Sequence, residues 1–158
     1  KSLFPKPTRS PTSKDIVSCS PNLEFCPCKS LFDGTMDLYH STELYSPSVN
    51  VTFLSPIVIK SVTILPQGGD EGNCHRLHSL NITIGNRNIR RFCAFHPGFK
   101  TNESCAGILL TLTCREPVVT SFMTMMMTKL PAECPPGYWC EGLNGLNLLS
   151  SRELFINK

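Results

Sequence analysis

The chain has 158 residues and a mass of 17.5 kDa, the size of one domain with a full hydrophobic core and no comfortable room for two. Hydrophobic residues make up 41% and charged residues 17%, which excludes disorder along the whole chain, and no apolar run reaches the roughly 20 residues of a membrane helix. A net charge of +3 is too small to argue for nucleic acid, so a soluble globular module is expected.

From the amino terminus, residues 1–30 carry Pro5, Pro7, Pro11, Pro21 and Pro27 and read as an extended segment held by its cysteines rather than by packing. No charged-then-apolar stretch opens it, so any secretion signal is expected to have been removed. Beyond it, the other eight of the thirteen prolines and all ten glycines divide segments rich in Val, Ile, Thr and Phe, and strands are predicted near 49–54, 57–65, 79–84, 89–95, 107–114 and 118–128. Val49, Val51 and Phe53 alternate with Asn50 and Thr52, and Leu80, Ile82 and Ile84 with Asn81 and Thr83, which points both asparagines away from the core. Ile108, Leu110, Leu112 and Cys114 alternate with Leu109, Thr111 and Thr113 in the same way. The methionine-rich run from Phe122 to Thr128 reads as a core strand filled with adaptable thioethers, with a Met-lined binding surface as the other reading. Leu143, Leu146, Leu149 and Ile156 suit either a short amphipathic helix or a strand joining a neighbouring module. The domain is therefore drawn over 1–142, with 143–158 as a carboxy-terminal tail or the start of a linker. Regular strands punctuated by Pro and Gly give an all-β chain, a sandwich or barrel.

Nine cysteines at irregular spacing (Cys19, Cys26, Cys28, Cys74, Cys93, Cys105, Cys114, Cys134, Cys140) fit no zinc knuckle and indicate disulfides in an oxidising compartment. Sequons at Asn50, Asn81 and Asn102 agree with a secreted or cell-surface glycoprotein. Because nine is odd, one cysteine is free within the chain or bonds a partner chain. Cys140 is expected to pair with the Cys26 to Cys28 region, Cys28 foremost, stapling the amino-terminal segment to the last strand. A local Cys134–Cys140 loop around Pro135-Pro136-Gly137-Tyr138-Trp139 competes with it. Catalysis has little support: Cys74, His75 and His78 carry thiol and imidazole groups, but neighbours on a strand face opposite ways and oxidising compartments consume thiols. Arg87, Arg90 and Arg91 form a basic cluster, either a solvated hairpin tip or a contact to sulphated glycan or anionic lipid.

The order of these segments resembles a family. Lys6-Pro7-Thr8-Arg9-Ser10-Pro11-Thr12 is similar to the opening "GKPATQSST" of F-type lectin domains, the fucose-binding relatives of the discoidin or coagulation-factor C-type sandwich. Phe32-Asp33-Gly34 stands for the family's "IDG", His40 for its "HT", and Ile59-Lys60-Ser61-Val62-Thr63-Ile64 for its "ITSVTI". Gly69-Asp70 with Arg76-Leu77 resembles "RGDCCGERI", Leu80 to Gly85 resembles "EINIG", and Trp139-Cys140-Glu141 falls at the terminal "LCEV". The match spans roughly residues 4–142. It implies an antiparallel, jelly-roll, discoidin-like β-sandwich stapled by disulfides, with Cys93–Cys114 as one bond.

The resemblance also implies a sugar site at His40, Gln67, Asp70 and Arg76. Gln67 stands where the family places an arginine, and the substitution removes a charge-assisted bond of about 1.5–3 kcal/mol. Asp70 equally suits a tight acidic turn, and Arg76 a salt bridge to it. A calcium ion is implied through Asp33, Glu141 and loop carbonyls, with Asp37 replacing one ligand in a shortened loop, so Asp33 and Glu141 are expected to approach each other. The expected function is a non-enzymatic extracellular recognition module that binds glycan or a glycoprotein. The alternative is a sugar-inactive domain that binds protein or builds a larger extracellular assembly.

Overall fold

The computed structural model describes residues 16–20, 31–32, 39–40, 47–66, 76–105, 108–140 and 149–158, with the side chains of 17–20, 39–40 and 150–153 excepted. Nine strands follow in chain order: β1 Ile16–Ser20, β2 Tyr39–His40, β3 Ser48–Pro66, β4 Leu80–Gly85, β5 Arg90–His96, β6 Phe99–Lys100, β7 Leu110–Met127, β8 Tyr138–Trp139 and β9 Ser150–Asn157. No α-helix occurs among the described residues, only short 3-10 turns such as Pro131–Glu133.

Two long strands organise the sandwich. β3 and β7 pair antiparallel from Ser48↔Met126 to Ile64↔Leu110, but the ladder breaks twice. Between Thr52 and Ile57, β3 takes five steps against two on β7; between Ile59 and Ser61 it takes two against five on β7. Each strand therefore makes one excursion, and each excursion holds a proline, Pro56 in β3 and Pro117 in β7, where a missing N–H costs no ladder bond. The bends pass both strands from one layer to the other. The first halves of β3 and the last part of β7 join β1, β4 and β5, and the remaining halves join β9 and β2. One hydrogen-bonded path β2-β9-β3-β7-β4-β5 thus forms both layers of an antiparallel β-sandwich.

The predicted strand pairs 49–54 with 57–65 and 107–114 with 118–128 are each one continuous strand, interrupted only by the proline excursions. The buried alternation is as the pattern demands. Val49, Val51, Phe53, Leu80, Ile82 and Ile84 are in the core, and Met123, Met125 and Met127 fill it from β7. Ile59, Val62, Ile64, Leu154 and Ile156 belong to the same cluster from the second layer. Each such side chain contributes roughly 1.5–3 kcal/mol of burial. Ile108 and Leu109 are exposed, so the buried face of β7 begins further on, with Leu110 and Leu112 packed at the core margin.

Two expectations are corrected. The tail assigned to 143–158 contains β9, which pairs with β3 from Ser61↔Asn157 to Pro66↔Ser151 and with β2 beyond it. Leu149, Leu154 and Ile156 are buried, so the domain does not end at 142. Residues 150–157 occupy an interior position in the sheet because β3 needs a partner on that side. Cys140 bonds Cys134, six positions away, and so does not staple Cys28 or Cys26 to the last strand. The turns at Pro135 to Gly137 bring the local partner into reach first. Cys93 bonds Cys114, and Cys105 is also disulfide-bonded, to a partner outside the described side chains. A bulge at Ile82/Thr83 against Ala94/Phe92 turns both Cys93 and Ala94 inward, which lets Cys93 reach the excursion of β7.

Candidate functional site

The loops at one sheet end are built from the backbone of β2, β3 and β9. Ser151 pairs with Tyr39 on one side and Pro66 on the other, and His40 pairs with Ser150 one step further out. His40 therefore stands at the same edge from which residues 67–75 depart, two strand spacings or about 10 Å from the end of β3. Gln67, Asp70, Asp33, Asp37 and Glu141 lie outside the described residues, as do Cys26, Cys28 and Cys74. Among the described residues no group of three or more His, Cys, Asp and Glu side chains is placed to hold a metal ion.

Arg76 closes the loop. It is half-buried, and the three residues after it, Leu77, His78 and Ser79, are fully buried at the entry to β4. Ser79 has a positive φ of 49°, a conformation that a side-chain-bearing residue keeps only where its surroundings hold it. They do so here through three backbone contacts: Ser79 N–H donates to the Pro97 carbonyl at 3.2 Å, and the Thr128 N–H and hydroxyl donate to the Ser79 carbonyl at 2.8 and 3.1 Å. His78 Nδ1 lies 3.3 Å from Ser79 Oγ.

Beside this segment runs the small two-stranded sheet of β6 and β8, with Phe99↔Trp139 and Lys100↔Tyr138 in register. Gly98 fits between them: a Cβ there would lie 3.2 Å from the His78 Cβ and 3.5 Å from the Trp139 carbonyl oxygen. Arg76 to Ser79 and Tyr138-Trp139 thus share one corner of the sandwich. Thr101 N–H donating to the Gly137 carbonyl at 2.9 Å and the Cys134–Cys140 bond pin this pair of strands. Trp139 keeps 51% of its surface exposed there. Its prominence was not foreseen from the sequence, although the only tryptophan of the chain, set between two cysteines behind Pro135-Pro136-Gly137, was the available signal.

Beneath the corner, His96 is buried against Phe99 in an edge-to-face contact with ring centroids 5.0 Å apart. Burial lowers its pKa from 6.5 to about 4; a hydrogen bond to the Leu77 backbone opposes the shift, and neighbouring His78 adds to it. His96 is a neutral imidazole that supports the corner rather than a group that meets a ligand. The exposed Trp139 indole and Lys100 stand on this disulfide-pinned pair of strands, and Arg76 lies two residues ahead of His78.

Of the basic cluster, all three arginines are exposed, as at a solvated hairpin tip, but Arg90 also engages its own sheet. Arg90 reaches across Gly85, opposite it in the ladder, to place its guanidinium 5.0 Å from the Phe122 ring centroid and donate to Thr124 Oγ1 at 3.3 Å. Arg87 remains at the exposed hairpin tip, where Asn86 Oδ1 accepts from the N–H groups of Asn88 and Ile89 at 2.9 and 3.1 Å.

No protein-family model and no curated protein sequence matches the chain. Solved structures match in fold. A carbohydrate-binding module of Clostridium perfringens in complex with GalNAc-β-1,3-galactose is similar at a TM-score of 0.67 and 14% identity, over 95% of this chain and 100% of that one. A family 32 module from C. perfringens NanJ in complex with galactose is similar at 0.65 and 15%, over 93% and 96%. A fucolectin from striped bass (Morone saxatilis) serum is similar at 0.63 and 19%, over 93% of this chain and 48% of that one. At these identities the likeness is one of fold alone, a discoidin-like β-sandwich of the kind seen in family 32 modules and the fucolectin.

Proposed function

We propose that this chain is an extracellular, non-enzymatic recognition module that binds glycan, free or carried on a glycoprotein, through the loops around His40, Gln67, Asp70 and Arg76. The observation that carries the reading is the fold itself, held in common over nearly the whole chain with modules solved in complex with galactose and a GalNAc-galactose disaccharide. Disulfide bonding supports an oxidising, extracellular setting, and no described helix is long and apolar enough to cross a membrane. Trp139 adds an aromatic face against which the apolar side of a sugar ring packs, and Arg76 adds fixed donors for adjacent hydroxyls. Asp33, Asp37 and Glu141 are proposed as calcium ligands, since carboxylate oxygens are the donors this ion prefers.

The test is a glycan array probed with and without calcium, followed by titration of the Arg76→Ala and His40→Ala variants. Each is expected to weaken binding by at least tenfold, about 1.4 kcal/mol, with melting temperature unchanged. A folded protein that binds no glycan in either condition would instead favour the sugar-inactive reading, in which Gln67 marks the loss of a donor and the partner is a protein.

A further inference from the structure

The outer face of the first layer is a grid that the strand registers define. One row runs Ser48, Met126, Asn81, Phe95; the next runs Asn50, Thr124, Thr83, Phe92; the third runs Thr52, Phe122, Gly85, Arg90. Three of its apolar members are exposed, with no other described element over them: Phe92 at 42%, Phe95 at 43% and Met126 at 37%. β5, which carries both phenylalanines, is an edge strand. An exposed aromatic edge of this kind invites pairing with other chains unless something covers it. Two of the three sequons stand on this same face. Asn81 lies in its row between Met126 and Phe95, and its sequon threonine, Thr83, lies between Thr124 and Phe92. Asn50 accepts a hydrogen bond from Thr124 at 2.8 Å through Oδ1, which leaves Nδ2, the atom that a glycan is attached to, without a partner among the described residues.

We propose that Asn81 and Asn50 carry N-linked glycans that rise from one face of the sandwich, and that the first sugars on Asn81 lie over Phe95, Phe92 and Met126 as their cover. A covalently attached oligosaccharide is the occupant this strip fits: the attachment point is central to it, and the sugar's C–H faces meet the rings while its hydroxyls face water. Arg90, already engaged with Phe122 and Thr124, closes the end of the strip opposite Asn81. A covered outer face leaves the loop end free as the binding surface. The inference rests on the extracellular reading above, and Asn102, exposed in the turn after β6 and in none of the strip's rows, serves as its internal control.

The experiment is expression of the full chain in a secreting mammalian cell, with site occupancy read by glycopeptide mass. Hydrophobic-dye binding and melting temperature are then compared for Thr83→Ala, which removes the sequon, and Thr83→Ser, which keeps it. Loss of the Asn81 glycan is expected to raise dye binding several-fold and lower Tm by about 2–4 °C. Removing the Asn102 glycan should change neither. Trimming of the native glycoprotein to its first sugar, which needs no substitution, is expected to keep dye binding low, and complete removal to raise it. An empty Asn81 in secreted protein whose Asn102 is occupied overturns the proposal while leaving the extracellular reading intact, as does an occupied Asn81 whose removal changes no property. Free thiols and no glycan at any site would overturn both.

Discussion

Asn157 donates from Nδ2 to Ser61 Oγ at 2.8 Å and to Thr63 Oγ1 at 3.1 Å, and Thr63 in turn shares a hydrogen bond with Thr111 at 2.9 Å. The penultimate residue of the chain is thereby joined through β3 to β7. Ser150–Asn157 is a structural strand of the sheet.

Truncation after residue 142 should therefore unfold the domain rather than trim it. It removes Leu149, Leu154 and Ile156 from the core and strips β3 of a hydrogen-bonded neighbour along Ser61 to Pro66. Buried Leu and Ile side chains cost about 2–5 kcal/mol each when truncated to Ala, so losing three costs as much as the whole stability of an ordinary domain, about 5–15 kcal/mol. Circular dichroism and size-exclusion chromatography of the shortened chain would check this; a monomer with a cooperative melt near that of the full chain is the contrary result.

A second prediction concerns the β4 to β5 turn. Gly85 has a φ of 149°, and a Cβ there would overlap the Ile89 carbonyl. Gly85→Ala should cost about 1–3 kcal/mol, measured by denaturant melts. It should also displace Arg90 from Phe122, because the guanidinium reaches its partner over the one position in that row without a side chain. Asn86→Ala should act on the same turn, removing two accepted hydrogen bonds and a donated one to the Val119 carbonyl.

His96 sets a pH dependence. Its folded pKa of about 4 lies below the unfolded value of 6.5, so the folded state prefers the neutral ring. The stability this confers is complete above pH 6.5 and is lost as pH falls from there towards 4. At about 1.4 kcal/mol per unit the loss is on the order of 3 kcal/mol. Thermal melts between pH 7 and 4 should show the decline, and His96→Asn, which has no ring to protonate, should flatten it. An unchanged slope in that variant would assign the decline to other groups.

Much of this fold was legible because the alternation of Val49, Val51 and Phe53, and of Leu80, Ile82 and Ile84, has period two and survives in the buried face. The continuity of β3 and β7 was not, since Pro56 and Pro117 break the local pattern while the long-range ladder carries each strand across the bend. β9 was missed for a related reason. In Ser-Ser-Arg-Glu-Leu-Phe-Ile-Asn only Leu154 and Ile156 mark a buried face, and what makes the segment a strand is the unpaired side of β3, which is not a local property. Of the site, the corner where His78 and Trp139 meet around Gly98 joins residues some sixty positions apart, and no spacing in the sequence encodes that.

The two described disulfide pairs should separate stability from recognition. Cys93–Cys114 closes a loop of 21 positions between β5 and the excursion of β7, and removing it as a Cys93→Ala, Cys114→Ala pair should cost about 3 kcal/mol through the unfolded state alone, with a cavity beside the core in addition. Cys134–Cys140 closes only six positions and lies outside the main core, so its Cys134→Ser, Cys140→Ser counterpart should lower Tm less. It does, however, pin the β8 segment that carries Trp139 beside His78, and ordering that segment would then fall to the ligand. Glycan affinity should accordingly drop more in the second pair than in the first, in the opposite order to the melting temperatures. Calorimetric titration and melting of both double variants on one glycan decide the matter: if affinity and stability fall in the same order, the Trp139 corner has no part in binding, and the ligand contacts lie with His40 and the 67–75 loop.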